Sequence, residues 1–256
     1  MHIARTVEGT IGRAARSFPC LLVQGPRDCG KLAALAHALG DNLARVSLDD
    51  LDERLVAQLN PKLFLDERGC PLIIEEIEKA PALLDEIKRR IDEMRFEALK
   101  SGLSQSLMYA LTASTTHALL HGDSDSLAGR CAKIDMSSLS ECEKLGLADR
   151  VFSPRIEDWK AFEASGKGHL RTRGEIFESI FQGGMPALAA GSVDRESYFK
   201  AYVASYVEQD AGMLLKASNL IKFRFLITAA AQRTAMELDY GELADAAGID
   251  RRTCMR

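Results

Sequence analysis

Tryptophan occurs once, at position 159, and aromatic residues make up only 6% of the 256-residue chain, so any core must be built mainly from aliphatic side chains. No stretch approaches the ~18 consecutive apolar residues that a membrane-spanning helix needs, and no membrane association is expected. Six cysteines, at 20, 29, 70, 131, 142 and 254, form no CxxC pair. Scattered over a chain this long, they exclude a disulfide-stapled mini-fold and read as the reduced thiols of a cytoplasmic protein. An excess of positive charge is lacking too. The 33 Lys and Arg against 37 Asp and Glu leave a net charge of −4, which argues against a protein that coats nucleic acid by bulk charge. Residues 1–16 are mixed and carry acid, so they do not read as a secretory signal. What is present, 46% hydrophobic and 27% charged residues, is the composition of a folded domain rather than a disordered chain.

Along the first 150 residues, short apolar runs alternate with helical patterns. Cys20–Gln24 reads as a buried strand, broken by Gly25–Gly30, and Lys31–Leu39 as a helix closed by Gly40. Further strands are predicted at Ala44–Leu48, Pro71–Ile74, Leu107–Leu111 and Ala132–Asp135. Asn60-Pro61 reads as the cap and first residue of a short helix. Apolar residues at 83, 84, 87, 91 and 94 mark an amphipathic helix. Strands alternating with helices imply a parallel sheet covered on both faces. After about residue 150 the pattern changes. A polar stretch around Trp159 and Ala164-Ser-Gly-Lys-Gly168 suits a linker or lid, and from Gly174 nearly everything reads as helix. The division expected is 1–150, 151–170 and 171–256.

Gly25-Pro-Arg-Asp-Cys-Gly-Lys31 fits the first seven places of the phosphate-loop pattern G-x-x-x-x-G-K-[ST]. Two glycines let the loop curl so that backbone N–H groups face phosphate oxygens. The following helix N-terminus adds partial positive charge, and Lys31 supplies a full one. The eighth place, whose hydroxyl should hold Mg²⁺, is Leu32. The same string also suits a plain strand–turn–helix connection. Glu75 and Glu76, at the end of the strand before them, suit a carboxylate that organises Mg²⁺ and one that polarises water. With Glu78 they equally suit the acidic first turn of a helix. The spacing of the two segments, with one strand between them in sequence, suggests a site assembled from two adjacent sheet strands.

Four ordered stretches resemble the predicted bacterial and archaeal ATPases of the AAA+ superfamily whose phosphate loop reads G-P-R-Q-x-G-K-T-T. They are Gly25–Lys31 with Val46–Asp50, Pro71–Pro81, Leu111-Thr-Ala-Ser114 and Ser126-Leu-Ala-Gly-Arg130. Gly183-Gly-Met-Pro186, Tyr202, Tyr206, Asp210 and Leu243–Asp250 resemble the opening half of that family's C-terminal domain of unknown function. The resemblance implies an α/β fold of the P-loop NTPase type, a three-layer parallel sheet, followed by an incomplete helical, winged-helix-like region. It implies that Gly25, Pro26, Arg27, Asp28, Cys29, Gly30, Lys31 and Leu32 surround ATP or ADP, that Glu76 orients water, and that Thr112 and Ser114 act as polar sensors. It gives Arg130 the role of an arginine finger toward a neighbouring subunit. Thr112 and Ser114 also suit helix caps, and Arg130 an ordinary salt bridge. Leu32, Glu75 and Ala113 depart from the family's Thr, Asp and Gly. Two of the three fall on the metal-binding positions, so weak or absent hydrolysis and a nucleotide-dependent switch are expected, with Glu75 a doubtful Mg²⁺ ligand.

Tyr240–Thr253 has the shape of a helix–turn–helix. Contact with DNA would employ Arg251, Arg252 and Arg256, but residues 221–256 hold six basic and five acidic side chains, a poor electrostatic match to a phosphate backbone. The second helix stops early, which suggests an unfinished domain with an exposed apolar surface near 220–249 and self-association or a protein partner. Alternatives are a DNA-binding or adaptor protein with a vestigial nucleotide site, and an assembly scaffold. The histidines at 2, 37, 117, 121 and 169 show no metal-ligand spacing; His117 and His121 lie i, i+4 without a third ligand.

Overall fold

The computed structural model describes residues 2–40, 43–102, 106–114, 127–147, 153–164, 171–205 and 217–255. Ser126, His117, His121, His169, Tyr206, Asp210, Arg256 and the stretch 165–168 lie outside them. The chain divides into two compact units, Met1–Ser192 and Val193–Arg256.

The first unit is built on five parallel strands: β1 (Cys20–Gln24), β2 (Ala44–Ser47), β3 (Leu72–Glu75), β4 (Tyr109–Ala113) and β5 (Cys131–Asp135), in the order β2-β3-β4-β1-β5. Alternation along the strands splits the core in two. Cys20, Leu22, Leu72, Ile74, Tyr109 and Leu111 face one side. Leu21, Val23, Ile73, Ala110 and Ile134 face the other. This follows from the two-residue period of a strand. Ile11 of helix α1 (Thr6–Ala15) and Ala34 and Leu35 of α2 (Lys31–Leu39) cover the second face. The first is covered by α3 (Leu51–Leu59), α4 (Pro61–Asp66) and α5 (Ala82–Ser101), through Ala57, Phe64, Leu65, Leu83, Leu84, Ile87 and Ile91. The result is the three-layer parallel α/β sheet that the alternation predicts.

Local signals set the boundaries. Gly30 (φ 93°) and Gly40 (φ 100°) bracket α2. The Asp50 side chain accepts from the Asp52 and Glu53 amides and starts α3, and Asn60 Oδ1 accepts from Leu63 N at the start of α4. Asp50 and Asn60 thereby satisfy amides that have no partner inside the helix. The expectation of adjacent strands beneath Gly25–Lys31 and Glu75–Glu76 is corrected: β4 pairs with both β1 and β3 and lies between them. Pairing of strands is a long-range choice, and the inserted strand brings Thr112 and Ser114 to the middle of the site.

Beyond β5, α6 (Glu141–Lys144) begins at a Ser140–Glu143 capping box. Residues 156–164, within the expected linker, form helix α7 (Ile156–Ala164). Then come α8 (Arg173–Gln182) and α9 (Pro186–Ala189). The elements described in the second unit are all helices: α10 (Arg195–Ser205), α11 (Ala217–Gln232), α12 (Tyr240–Ala247) and α13 (Arg251–Cys254). Asp239 caps α12, Gly248 (φ 65°) ends it, and Asp250 caps α13, which makes the expected helix–turn–helix path. Ala229, Leu243, Ala244 and Ala247 are buried, while Ile221, Phe225, Met236 and Leu238 are exposed. Among the described residues no helix is long and apolar enough to cross a membrane.

Candidate nucleotide site

The loop between β1 and α2 is held tightly on both sides. Gly25 N donates to Ala113 O at 3.1 Å, which fastens the start of the loop to the end of β4. A Cβ on Gly25 would lie 2.0 Å from the Met136 carbonyl oxygen, so only glycine fits. Asp28 adopts φ 59°, a left-handed conformation that Asp tolerates better than most residues. It places an exposed carboxylate in the loop where the related motif has Gln. Cys29 is fully buried, and burial pushes its thiol up despite the opposing influence of Lys31 and Arg5.

Lys31 is buried at the base of the loop. Its ammonium donates to Gly25 O (3.1 Å), Pro26 O (2.9 Å) and Ser114 Oγ (2.7 Å). Ser114 Oγ in turn donates to Glu76 Oε1 at 2.6 Å, while Glu76 N donates to Thr112 Oγ1 at 3.1 Å. Glu76 sits at φ 57°, which turns its carboxylate off the end of β3, and its buried Oε2 has no hydrogen-bond partner among the described residues. Ser114 N donates to Glu78 Oε1 at 2.7 Å. The loop, the end of β3 and the end of β4 are thus joined by one polar chain, Lys31–Ser114–Glu76. Thr112 and Ser114 are its links; residues 115–126, where a helix capped by them would begin, lie outside the described residues.

The metal positions look different. Leu32 is partly buried and packs against the cluster beneath α1 and α2. Burial pushes the Glu75 carboxyl up, Asp49 and Glu76 push in the same direction, and Arg45 opposes them. A leucine in the hydroxyl position offers no oxygen to a hard divalent cation, which takes oxygen ligands, carboxylates foremost.

Arg130 is placed away from the loop. It precedes β5, whose register runs Cys20↔Cys131 to Gln24↔Asp135, so it lies about five residues, roughly 16 Å, from the loop end of the sheet. There it makes a two-pronged pair with Asp92, Nε–Oδ1 at 2.6 Å and Nη2–Oδ2 at 2.9 Å, which holds the Asp92 carboxyl below its ordinary range.

Sequence reasoning missed two residues at this site. Arg5 is buried; it donates to Cys29 O (2.7 Å), Ser137 O (2.7 Å), Ser138 O (3.2 Å) and Glu143 Oε2 (3.0 Å). Glu143 also accepts from Thr6 N (2.7 Å) and Ser140 N (3.0 Å). The Ser140–Glu143 capping-box spacing was the available signal for Glu143; nothing local marks Arg5. Gly183-Gly-Met-Pro186 joins the same region. Gly184 O accepts from Leu139 N at 2.7 Å, and a Cβ on Gly184 would lie 2.6 Å from Leu139 O. Pro186 Cγ comes within 3.7 Å of where a Gly30 Cβ would stand.

A glycine-bounded loop between β1 and α2, with a buried lysine beneath it and a carboxylate two strands away, defines a nucleotide-binding fold of the P-loop type. The family model described as an AAA domain matches residues 17–145, half of the chain, and the protein belongs to that family. A second model, domain of unknown function DUF8612, matches residues 173–256. No curated protein matches the sequence. Among solved structures, the chain is similar to the Walker-type ATPase paby2304 of Pyrococcus abyssi, at 14% identity over 96% of this chain and 84% of that one, with a TM-score of 0.49. It is similar to the ORC2 protein of Aeropyrum pernix in its ADP form, at 14% identity over 96% and 79% of the two chains and a TM-score of 0.41. Domain III of the Thermotoga maritima replication initiation protein DnaA shares 15% identity over 94% and 88%, with a TM-score of 0.35.

Proposed function

We propose that residues 1–150 bind ATP or ADP at the Gly25–Lys31 loop, with weak or absent hydrolysis, and that nucleotide state acts as a switch on a partner through the region after residue 170. The observation that carries this reading is the Lys31–Ser114–Glu76 chain beside an apolar Leu32. A phosphate group entering the loop takes the Lys31 ammonium from the Gly25 and Pro26 carbonyls, a gain for the ion because a charged acceptor outbids neutral ones. Withdrawal of Lys31 frees Ser114 Oγ and, through it, Glu76. Glu76 can polarise a water, but Leu32 gives Mg²⁺ no hydroxyl. Charge neutralisation by metal supplies much of the catalysis in phosphoryl transfer, so binding outlives turnover.

The switch reading is supported by Gly184 and Pro186, which set the start of the C-terminal family segment against Leu139 and beside Gly30. A loop that changes shape around phosphate presses directly on that segment. Arg130, held by Asp92 at the far end of the sheet, suits action on a second subunit rather than on its own loop. A winged-helix role and self-association for the C-terminal region belong to the same proposal. DNA binding through Arg251 and Arg252 is the second reading, favoured only by the capped helix–turn–helix. Titration with a fluorescent ATP analogue, in the native protein and in Lys31→Met, tests the first reading. It predicts saturable binding that the variant loses with its fold intact. Absence of binding in both proteins, together with duplex binding that falls steeply with salt, would favour the second.

A further inference from the structure

The nucleotide site leaves unexplained a cluster on the α1–α2 side of the first unit. His37 lies far along the sequence from His2 and Glu8, yet the ligand atoms of all three lie within 4.8 Å of one another. Glu8 bridges the two imidazoles: Oε1 is 2.8 Å from His2 Nε2 and Oε2 is 2.6 Å from His37 Nδ1. The rings are stacked, with centroids 4.1 Å apart and planes 29° from parallel.

We propose that His2, Glu8 and His37 form a binding site for a divalent transition metal of the zinc class. Two imidazole nitrogens and one carboxylate oxygen are a three-ligand set for such an ion, with water in the fourth place. Hard cations such as Mg²⁺ prefer oxygen alone, so this site discriminates against the ion expected with a nucleotide. An ion at about 2.1 Å from each donor needs donors about 3.3 Å apart, which rotation of two surface imidazoles provides. A ligating pair would bind through His2 Nε2 and His37 Nδ1, each neutral ring carrying its single proton on the other nitrogen, and any proton on a ligating nitrogen would leave to solvent. Glu8 is already oriented, because Oε1 also accepts from Arg5 N at 3.0 Å, the capping box that starts α1.

The three ligands come from the segment before α1, its first turn, and the last turn of α2. A bound ion therefore ties residues 2–8 to the helix that begins at Lys31. Arg5, between two of the ligands, holds the Cys29 carbonyl of the loop. Occupancy of the metal site thus stiffens the element that supports phosphate binding, which is an effect separate from any metal carried by the nucleotide.

The test uses the full chain without nucleotide, titrated with Zn²⁺ by calorimetry and with Co²⁺ by visible absorption. Co²⁺ should develop d–d bands without thiolate charge transfer, and Zn²⁺ should bind one equivalent and raise the melting temperature. His37→Gln and His2→Gln should each weaken Zn²⁺ affinity at least about tenfold and abolish the melting shift. His37 has a side chain more than half exposed, so its variant should keep its fold. Equal Zn²⁺ affinity in the native protein and both variants would overturn the proposal. So would charge-transfer bands that assign the ion to cysteine, or a preference for Mg²⁺ over Zn²⁺.

Discussion

Replacing Arg5 by alanine should unlock the phosphate loop and destabilise the first unit together. The side chain is 6% exposed and makes four hydrogen bonds, one to the Glu143 carboxylate and three to the Cys29, Ser137 and Ser138 carbonyls. Truncation leaves Glu143, itself 7% exposed, without its cation, while the Thr6 and Ser140 amides still donate to it. Removing one partner of a buried ion pair costs about 3–5 kcal/mol, because the remaining charge stays desolvated. The two amides still holding Glu143 place the expected loss at the lower end, about 3 kcal/mol. Against a total stability of about 5–15 kcal/mol that is a large fraction. For a unit of this size it corresponds to a fall in melting temperature of about 6–12 °C. Urea unfolding followed by circular dichroism measures the loss, and a cycle with Glu143→Ala isolates the pair, with a coupling of at least about 1.5 kcal/mol expected. The Cys29 carbonyl also loses its donor, so nucleotide affinity should fall in the variant even at temperatures where it stays folded. A loss under about 1 kcal/mol, or strict additivity with Glu143→Ala, would refute the clamp.

Three further outcomes follow from the geometry. Gly25→Ala should displace the loop, since its Cβ would stand 2.0 Å from Met136 O; overpacking of this kind costs about 1–3 kcal/mol and should abolish nucleotide binding measured by titration. Leu32→Thr should gain phosphate release from ATP in the presence of Mg²⁺, at least tenfold by the ~1.4 kcal/mol that one well-placed ligand supplies, while losing about 1 kcal/mol of stability through lost apolar burial; a variant that stays inactive would mean that Glu75 or Ala113 also limits turnover. Glu86 is held down to about 2 by hydrogen bonds from Arg89 and Arg90, so its folded value lies below its ordinary 4.5. Its contribution is present above pH 4.5 and is lost as pH falls toward 2. Glu86→Gln should therefore remove part of the acid sensitivity, about 1 kcal/mol after solvent screening of the half-exposed Arg89, in urea midpoints compared at pH 7 and pH 3.

The legible parts of this molecule are those written in short stretches. β1, its glycine-bounded loop and α2 follow from an apolar run, two glycines and a helix closed by Gly40. Glu75 and Glu76 sit at a strand end because Leu72–Ile74 has no polar face. Other features are not local. α1 contains Gly9 and Gly12, poor helix formers, and its stability comes from Ile11 in the core. α3 turns Leu51, Leu55 and Leu59 outward, so its apolar spacing says nothing about what it buries. The place of β4 between β1 and β3 is a choice of pairing partners across about 90 residues. It makes Thr112 and Ser114 the bridge between lysine and carboxylate. Arg5 with Glu143, and His2 with Glu8 and His37, meet only because α1 folds back on α2 and β5.

The most direct test of the proposed nucleotide site, and of its proposed independence from Mg²⁺, is the affinity for ATP measured in the same protein with Mg²⁺ and with chelator. Binding through Lys31 and the loop amides, with Leu32 in the hydroxyl position, predicts affinities within about threefold of each other, alongside negligible phosphate release. Tightening by Mg²⁺ of tenfold or more, which is about 1.4 kcal/mol, accompanied by steady turnover, would contradict it.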